Sequence, residues 1–139
     1  MNIEFILIHL FDKDTRGPDL IRVYYTGEGS RIKAIDYCNP DDTCDAHSIR
    51  HLRFLKSQVH MFVPEEVYNY GEDQIPWRDG RSAAVCLGKS AWLESFLSQH
   101  LRYCQHYRLV FYDQILDIIC EGIEAHSGAF RQDPVETGS

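Results

Sequence analysis

The sequence predicts an α+β domain with a mainly antiparallel β-sheet and one clear amphipathic helix at about residues 90–103. Short apolar or alternating segments recur along the chain and are bounded by Gly, Pro, Asn or Asp, which is typical of strands separated by turns. One segment instead has apolar residues at helical spacing. The total of roughly six to eight short strands and one helix favours the α+β class.

The N-terminal part predicts a buried strand followed by a hairpin. Residues 3–11 are strongly apolar and rich in Ile, Leu and Phe, which favours a buried strand. Residues 12–19 form a turn-rich loop around Gly-Pro. Residues 20–26 and 31–37 are β-branched and aromatic, and the Gly-Glu-Gly-Ser segment between them predicts a hairpin turn.

The central part alternates between strands and loops. Residues 38–48 are polar and include an Asn-Pro turn signal. Residues 49–63 predict two strands with a turn or bulge at Lys56-Ser57. Pro64 could begin a short helical turn, and residues 69–82 predict a long loop before a short strand at 83–87.

Residues 90–103 predict the helix, because one stripe of apolar side chains recurs at helical spacing. Ser90 is the expected N-cap. The stripe consists of Trp92, Leu93, Phe96, Leu97 and Leu101.

Residues 107–125 fit two periods. Residues 107–112 favour a strand, and the segment 113–125 that follows has two interpretations. As a helix, this segment would carry its acids on one face. As a strand, it would point the apolar side chains inward and the acids outward, with Leu116, Ile118 and Cys120 inside and Asp117 and Glu121 outside. We favour a hairpin that turns near Asp113-Gln114, although Asp-Gln is a poor two-residue turn. We expect one globular domain over 1–130 and a flexible tail over 131–139.

Composition excludes some functions. The 139 residues carry a formal charge of −7, and 44% of them are apolar, which excludes disorder and the basic excess of a nucleic-acid-binding protein. No segment is apolar for long enough to cross a membrane, and the N-terminus lacks the basic region of a signal peptide. The odd number of cysteines, 5, indicates a reducing compartment, so we expect a cytoplasmic protein.

Two motifs suggest ligands. Residues 83–90 match a relaxed phosphate loop with one glycine, but too little chain follows for a parallel sheet, so we favour a strand that leads into a capped helix. Cys38, Cys44, His47 and His51 could hold a tetrahedral zinc ion, although they lack a Cys-x2-4-Cys pair. The alternative is two incidental cysteines and two surface histidines. Zinc is the single cofactor that we consider; otherwise we expect none.

The long loop suggests a contact surface. Tyr68, Tyr70, Trp77 and Arg78 are of the residue types that anchor protein partners. The alternative is a loop that caps the core with Trp77 tucked beneath it. Cys104 near His106, or Cys86, could supply a thiol nucleophile, but buried free cysteines explain these residues more simply.

The C-terminal third carries a resemblance. Ser90-Ala91-Trp92-Leu93, then His106-Tyr107-Arg108-Leu109, Asp113 and the segment 116–121 are similar to small uncharacterised bacterial proteins of the toxin-immunity type. The resemblance covers about 35 residues. It implies a hairpin in this region and an acidic protein that binds the basic surface of a partner.

These observations lead to three functional hypotheses. The first is a non-enzymatic cytosolic bacterial binding protein that acts by protein–protein contact through an acidic face and the 68–78 loop. The second is a metal- or small-ligand-binding domain that uses the cysteine and histidine set, and the third is a small enzyme of unknown class. We expect no nucleic acid and no membrane as partners, and a homodimer is possible because edge strands need cover.

Overall fold

Two antiparallel sheets make up the part of the chain that the structure describes. The computed structural model describes residues 4–5, 18–27, 29–39, 45, 47–64 and 84–131. The first sheet contains, in spatial order, β1 (Glu4–Phe5), β6 (Ala84–Gly88), β7 (Gln105–Val110), β8 (Gln114–Cys120) and β5 (Val59–Pro64). The second contains β2 (Asp19–Tyr25), β3 (Ile32–Cys38), β4 (Arg50–Leu55) and β9 (Gly122–Ser127). The predicted antiparallel character is therefore confirmed.

A bent two-stranded ribbon joins the sheets. β4 continues into β5 and β8 continues into β9, so each of these chain segments leaves one sheet and enters the other. Pairing persists through the bend, where Gln58 N–H donates to Ile119 O and Glu121 N–H donates to Leu55 O, both at 2.8 Å. A Cβ at Gly122 would lie 3.3 Å from Leu55 Cδ1, so this glycine permits close approach at the corner. Bends of this kind form the corners of orthogonally packed sheets.

The main core consists of buried aliphatic and aromatic side chains from both sheets. β8 is buried over nearly its whole length, and Tyr37 and Phe111 are the largest fully buried side chains. A smaller cluster on the outer face of the first sheet joins Leu93, Leu101 and Ile119. The connection between β6 and β7 therefore covers part of that outer face.

The predicted helix at 90–103 is wrong in its extent. The segment contains α1 (Ala91–Glu94), a turn, and a 3-10 helix (Gln99–Leu101). Leu97 adopts a φ of 51°, which a continuous right-handed helix excludes. The extended Ser98 then starts the next turn, because its hydroxyl accepts from His100 N–H. No described helix is long and apolar enough to cross a membrane.

The apolar stripe divides between core and solvent as a result. Leu93 and Leu101 are buried, whereas Leu97 is 94% exposed and Phe96 is also exposed. Helical spacing predicted that these residues would share one buried face. The stripe is therefore not the buried face of an amphipathic helix, and the α+β class is confirmed only in its β part.

The hairpin predicted for the C-terminal third is confirmed. β7 and β8 pair across a turn at 111–113, where Phe111 N–H donates to Gln114 O. The stretch after the turn is strand rather than helix, and it changes sheet between Cys120 and Gly122. Asp117 lies on the outer face of the first sheet, as the strand alternative predicts, but it is 1% exposed because the β6–β7 connection covers it.

Candidate functional site

A cleft of about 870 Å³ opens on the outer face of the second sheet. On that face His51 of β4 lies opposite both Asp36 of β3 and His126 of β9. The chain after β9 turns back across the sheet and supplies the remaining wall. The cleft is lined in part by the side chains of Lys33, His51, Arg53, His126, Phe130 and Arg131. Its volume lies within the range of small-molecule sites.

Asp36 fixes this wall in place. Its carboxylate is 3% exposed and accepts from Phe130 N–H at 2.8 Å and from Tyr24 O–H at 2.5 Å. Gly128, with a φ of 79°, makes the turn and donates its N–H to Ile49 O at 2.8 Å. Burial raises the pKa of Tyr24, and the hydrogen bond and negative charge of Asp36 raise it further. The segment 128–131 is therefore held against the sheet by one charge-assisted bond to Asp36 and one backbone bond to Ile49.

A series of aromatic rings crosses the face and ends in the cleft. Tyr24 lies 5.0 Å from Phe130, Phe130 lies 5.5 Å from His51, and His51 stacks on His126 at 4.9 Å between ring centroids. His51 Nδ1 donates to Gly128 O at 2.9 Å, because a carbonyl can only accept. This bond fixes the ring orientation. His126 keeps 46% of its side chain exposed.

Positive charge dominates the lining. Lys33, Arg53 and Arg131 each contribute a cation. Glu124 is the neighbouring acid, 3.7 Å from Arg53 Nη1 and 3.4 Å from His126 Nε2. These contacts are about half exposed, and such exposed pairs are weak. The cleft therefore has cations available to hold an anion.

A second polar assembly lies on the outer face of the first sheet, and its members are buried. Ser90 Oγ is 2.7 Å from His106 Nδ1, and His106 Nε2 is 2.6 Å from Asp117 Oδ1. Arg108 Nε donates to the same Asp117 oxygen at 2.8 Å. Trp92 packs edge-on against the imidazole, with 4.9 Å between ring centroids. We call these four polar residues, Ser90, His106, Arg108 and Asp117, the buried polar chain.

The bond directions in the buried polar chain indicate a structural role. The Asp117 carboxylate accepts from His106 Nε2–H, because a carboxylate can only accept, and the other ring nitrogen, Nδ1, is hydrogen-bonded to the Ser90 hydroxyl. The same hydroxyl accepts from Leu93 N–H at 3.2 Å, which confirms Ser90 as the N-cap of α1. Ser90 is 7% exposed, and its oxygen is committed to the cap and to the imidazole. The buried polar chain therefore anchors α1 to the first sheet.

Sequence reasoning missed this assembly, although the signal was present. A hairpin that turns near residue 113 pairs Arg108 with Asp117 and His106 with Ile119. His106 and Arg108 then share one face of β7, as residues two apart do on a strand. Writing out this register would have predicted a His-Arg-Asp group. The same exercise does not place Ser90, which arrives through the β6–β7 connection.

The predicted zinc ligands are placed in part. Cys38 is buried at the end of β3, His47 is exposed in a turn, and His51 lies in the cleft with one ring nitrogen on Gly128 O. Cys44 lies outside the described residues. Within the described ranges, no three His, Cys, Asp or Glu side chains form a group that could hold a metal ion. A zinc site formed by all four residues therefore stays a prediction.

The other predicted motifs have structural explanations or fall outside the description. In the motif that matches a relaxed phosphate loop, Lys89 Nζ donates to the carbonyls of Arg102 and Cys104 at 2.8 and 2.6 Å. These backbone contacts agree with the interpretation of the motif as a strand that leads into a capped helix. Burial raises the pKa of the Cys104 thiol, which opposes a nucleophilic role. The predicted contact residues Tyr68, Tyr70, Trp77 and Arg78 lie outside the described residues.

The acidic residues singled out in the sequence do not form one surface within the described ranges. Asp36 and Asp117 are buried, and Glu124 lies beside Arg53. Asp113 and Glu121 are exposed at the two ends of β8. The lining of the cleft within the described residues, by contrast, contains three cations and no acidic residue.

Comparisons with protein-family models, with curated proteins and with solved structures find no significant match. The function must therefore be argued from the chemistry of this chain. The open cationic cleft and the buried polar chain are the two candidate sites on which that argument rests.

Proposed function

We propose that the protein is a non-enzymatic binding domain that holds an anionic ligand in the cleft on the second sheet. The observation that carries this proposal is the convergence of Lys33, Arg53 and Arg131 on one cleft in a chain of net charge −7. Cations gathered against the overall charge raise the local concentration of an anion and stabilise it once bound. The exposed Glu124 is too weak a partner to neutralise all three.

The arrangement supports binding better than it supports reaction. His51 is held by Gly128 O and by its stack on His126. The serine of the buried polar chain is enclosed and already caps α1. The exposed groups that carry the proposal are the three cations of the cleft and the ring of His126.

Titration with inorganic pyrophosphate at low ionic strength tests the proposal. We expect perturbation of the backbone amide NMR signals of the cleft, with a Kd below about 1 mM. The triple variant Lys33→Ala, Arg53→Ala, Arg131→Ala should weaken binding at least about tenfold, which corresponds to about 1.4 kcal/mol. Added salt should weaken binding to the wild type, since the site is open to solvent.

Arg102→Ala is the matched control. Arg102 is an exposed arginine outside the cleft, with its guanidinium 4.9 Å from the Tyr103 ring centroid. The variant Arg102→Ala removes one positive charge without touching the cleft, so it should leave the pyrophosphate Kd unchanged. If Arg102→Ala weakened pyrophosphate binding as much as the replacement of one cleft cation does, for example Arg53→Ala, the effect would come from net charge alone. This result would contradict the proposal.

The hypothesis of a protein partner is compatible with this cleft, whose anion could be an acidic segment of that partner. The loop predicted to make the contact, from Tyr68 to Arg78, lies outside the described residues. The protein partner, the homodimer and the cytoplasmic location therefore stay predictions.

A further inference from the structure

We infer that the anion bound in the cleft is a nucleoside monophosphate, whose base stacks on His126 and whose phosphate meets the three cations. This inference rests on the proposed function and adds the class of ligand. It depends on a second property of the cleft, which the charge argument does not use. The cleft combines an exposed ring with three cations. A nucleotide has a planar base that can stack on the ring and a phosphate that the cations can bind.

The ring surface is preformed. His126 is stacked on His51, and His51 is held in turn by Phe130 and by the Gly128 carbonyl. The ring of His126 is therefore supported on one side, while 46% of its side chain remains exposed. A planar base that continued the stack would meet a ring already fixed in orientation, so little entropy is lost on binding. Base stacking on an aromatic side chain is sequence-tolerant and general in nucleotide recognition.

The cations lie in the same cleft. Arg53 is on β4, two residues from His51, and Arg131 follows the aromatic Phe130 that supports the stack. Arginine matches phosphate oxygens in a bidentate manner, and lysine binds them as a point charge. Lys33 completes the set. Rings and cations thus line a single space of about 870 Å³, which is large enough for a mononucleotide.

The charge distribution favours a mononucleotide over a polymer. Three cations can match one phosphate group, but a longer backbone would extend over the surface of a chain with a net charge of −7. Glu124 at the cleft would also repel a second phosphate near His126. This agrees with the prediction from composition that the protein does not bind nucleic acid.

The test compares AMP, ribose 5-phosphate and an eight-residue oligoadenylate by isothermal titration calorimetry. AMP should bind at least about fivefold tighter than ribose 5-phosphate, which is the lower end of what one base stack contributes. In His126→Ala the two ligands should bind equally. In His126→Phe, which keeps a flat ring, the preference for AMP should return. His126 is exposed on β9, so these variants are expected to fold, and circular dichroism checks this.

The possible outcomes distinguish the nucleotide inference from the anion-binding proposal. Equal affinity for AMP and ribose 5-phosphate in the wild type overturns the nucleotide inference and leaves the anion-binding proposal intact. Tighter binding of the oligoadenylate per site than of AMP also overturns it, in favour of a polymer. Failure of pyrophosphate and of all three ligands to bind overturns both proposals. A preference for AMP that is lost in His126→Ala and restored in His126→Phe supports the inference.

Discussion

The two outer faces carry similar residues in opposite settings. Each has a buried aspartate and a histidine, Asp117 with His106 on the first sheet and Asp36 near His51 on the second. The β6–β7 connection covers the first group, whose Ser90, His106, Arg108 and Asp117 side chains bond one another and cap α1. On the second sheet residues 128–131 form one wall of the cleft, and the side chain of His126 beside them remains 46% exposed.

This difference teaches that residue type does not decide function here. A Ser-His-Asp series with bonds of 2.7 and 2.6 Å has the distances of a catalytic triad, yet its serine is enclosed and serves as a helix cap. The less conspicuous histidines of the second sheet retain open surface. Access, rather than the chemical identity of the side chains, separates this structural anchor from the proposed binding site.

The largest expected effect is in the buried polar chain. Asp117→Ala should lower the free energy of unfolding by about 3–5 kcal/mol, because it leaves the buried Arg108 and His106 without their shared carboxylate. Urea denaturation measures the change. Asp113→Ala, at an exposed acid beside the same strand, is the control and should cost less than about 0.5 kcal/mol. A loss below about 1 kcal/mol in Asp117→Ala would contradict the structural role.

The corresponding change on the second sheet should have a smaller effect on stability and a direct effect on binding. Asp36→Ala removes the acceptor for Phe130 N–H and Tyr24 O–H, and we expect a loss of about 2 kcal/mol. Because the wall of the cleft is released, pyrophosphate affinity should also fall, by about tenfold or more. Asp117→Ala, measured where it is still folded, should leave that affinity unchanged. Binding that survives in Asp36→Ala would mean that segment 128–131 does not shape the site.

A third comparison uses two serine caps whose hydrogen bonds have the same length. Ser90 Oγ accepts from Leu93 N–H, and Ser98 Oγ accepts from His100 N–H, both at 3.2 Å. Ser90→Ala should cost about 1–2 kcal/mol because a buried cap and a partner of His106 are lost together. Ser98→Ala, at an exposed site, should cost less than about 1 kcal/mol. Equal losses in thermal or urea unfolding would show that burial of the first cap adds nothing.

The smallest expected effect is a dependence on alkaline pH. The pKa of Tyr24 is raised in the folded protein, so the unfolded chain releases this proton first as pH rises. The contribution to stability is complete below the ordinary tyrosine pKa of about 10 and is lost as pH rises through the folded value. Between pH 9 and 11, Tyr24→Phe should therefore lose less stability than the wild type.

Other groups also titrate in that range, so the readout is the difference between the two proteins. Burial raises the pKa of Cys120 to about 12, which adds a loss of the same sign to both. Identical slopes for wild type and Tyr24→Phe would contradict the proposed bond to Asp36.

Much of the fold was predictable, and the failures have physical causes. The hairpins at 20–37 and 105–120 follow from β-branched runs around short polar turns. The predicted helix at 90–103 is too long, because the spacing of apolar residues carries no information about backbone angles or local hydrogen bonds. It therefore does not reveal that Leu97 is left-handed or that Ser98 caps a separate turn. In the candidate site, His51 was singled out as a zinc ligand, whereas Lys33, Arg53, His126 and Arg131 were not singled out. They are distant in sequence and carry no motif.

The sequence by itself determined the antiparallel strands and the capped start of α1 after a short strand. Each of these depends on neighbours within a few residues, where turn chemistry and side-chain alternation act. The tertiary structure decided which polar groups are enclosed and which remain open. A strand alternates two faces, but whether a face meets solvent depends on which other segments lie across it: the β6–β7 connection over Asp117, and residues 128–131 beside His51.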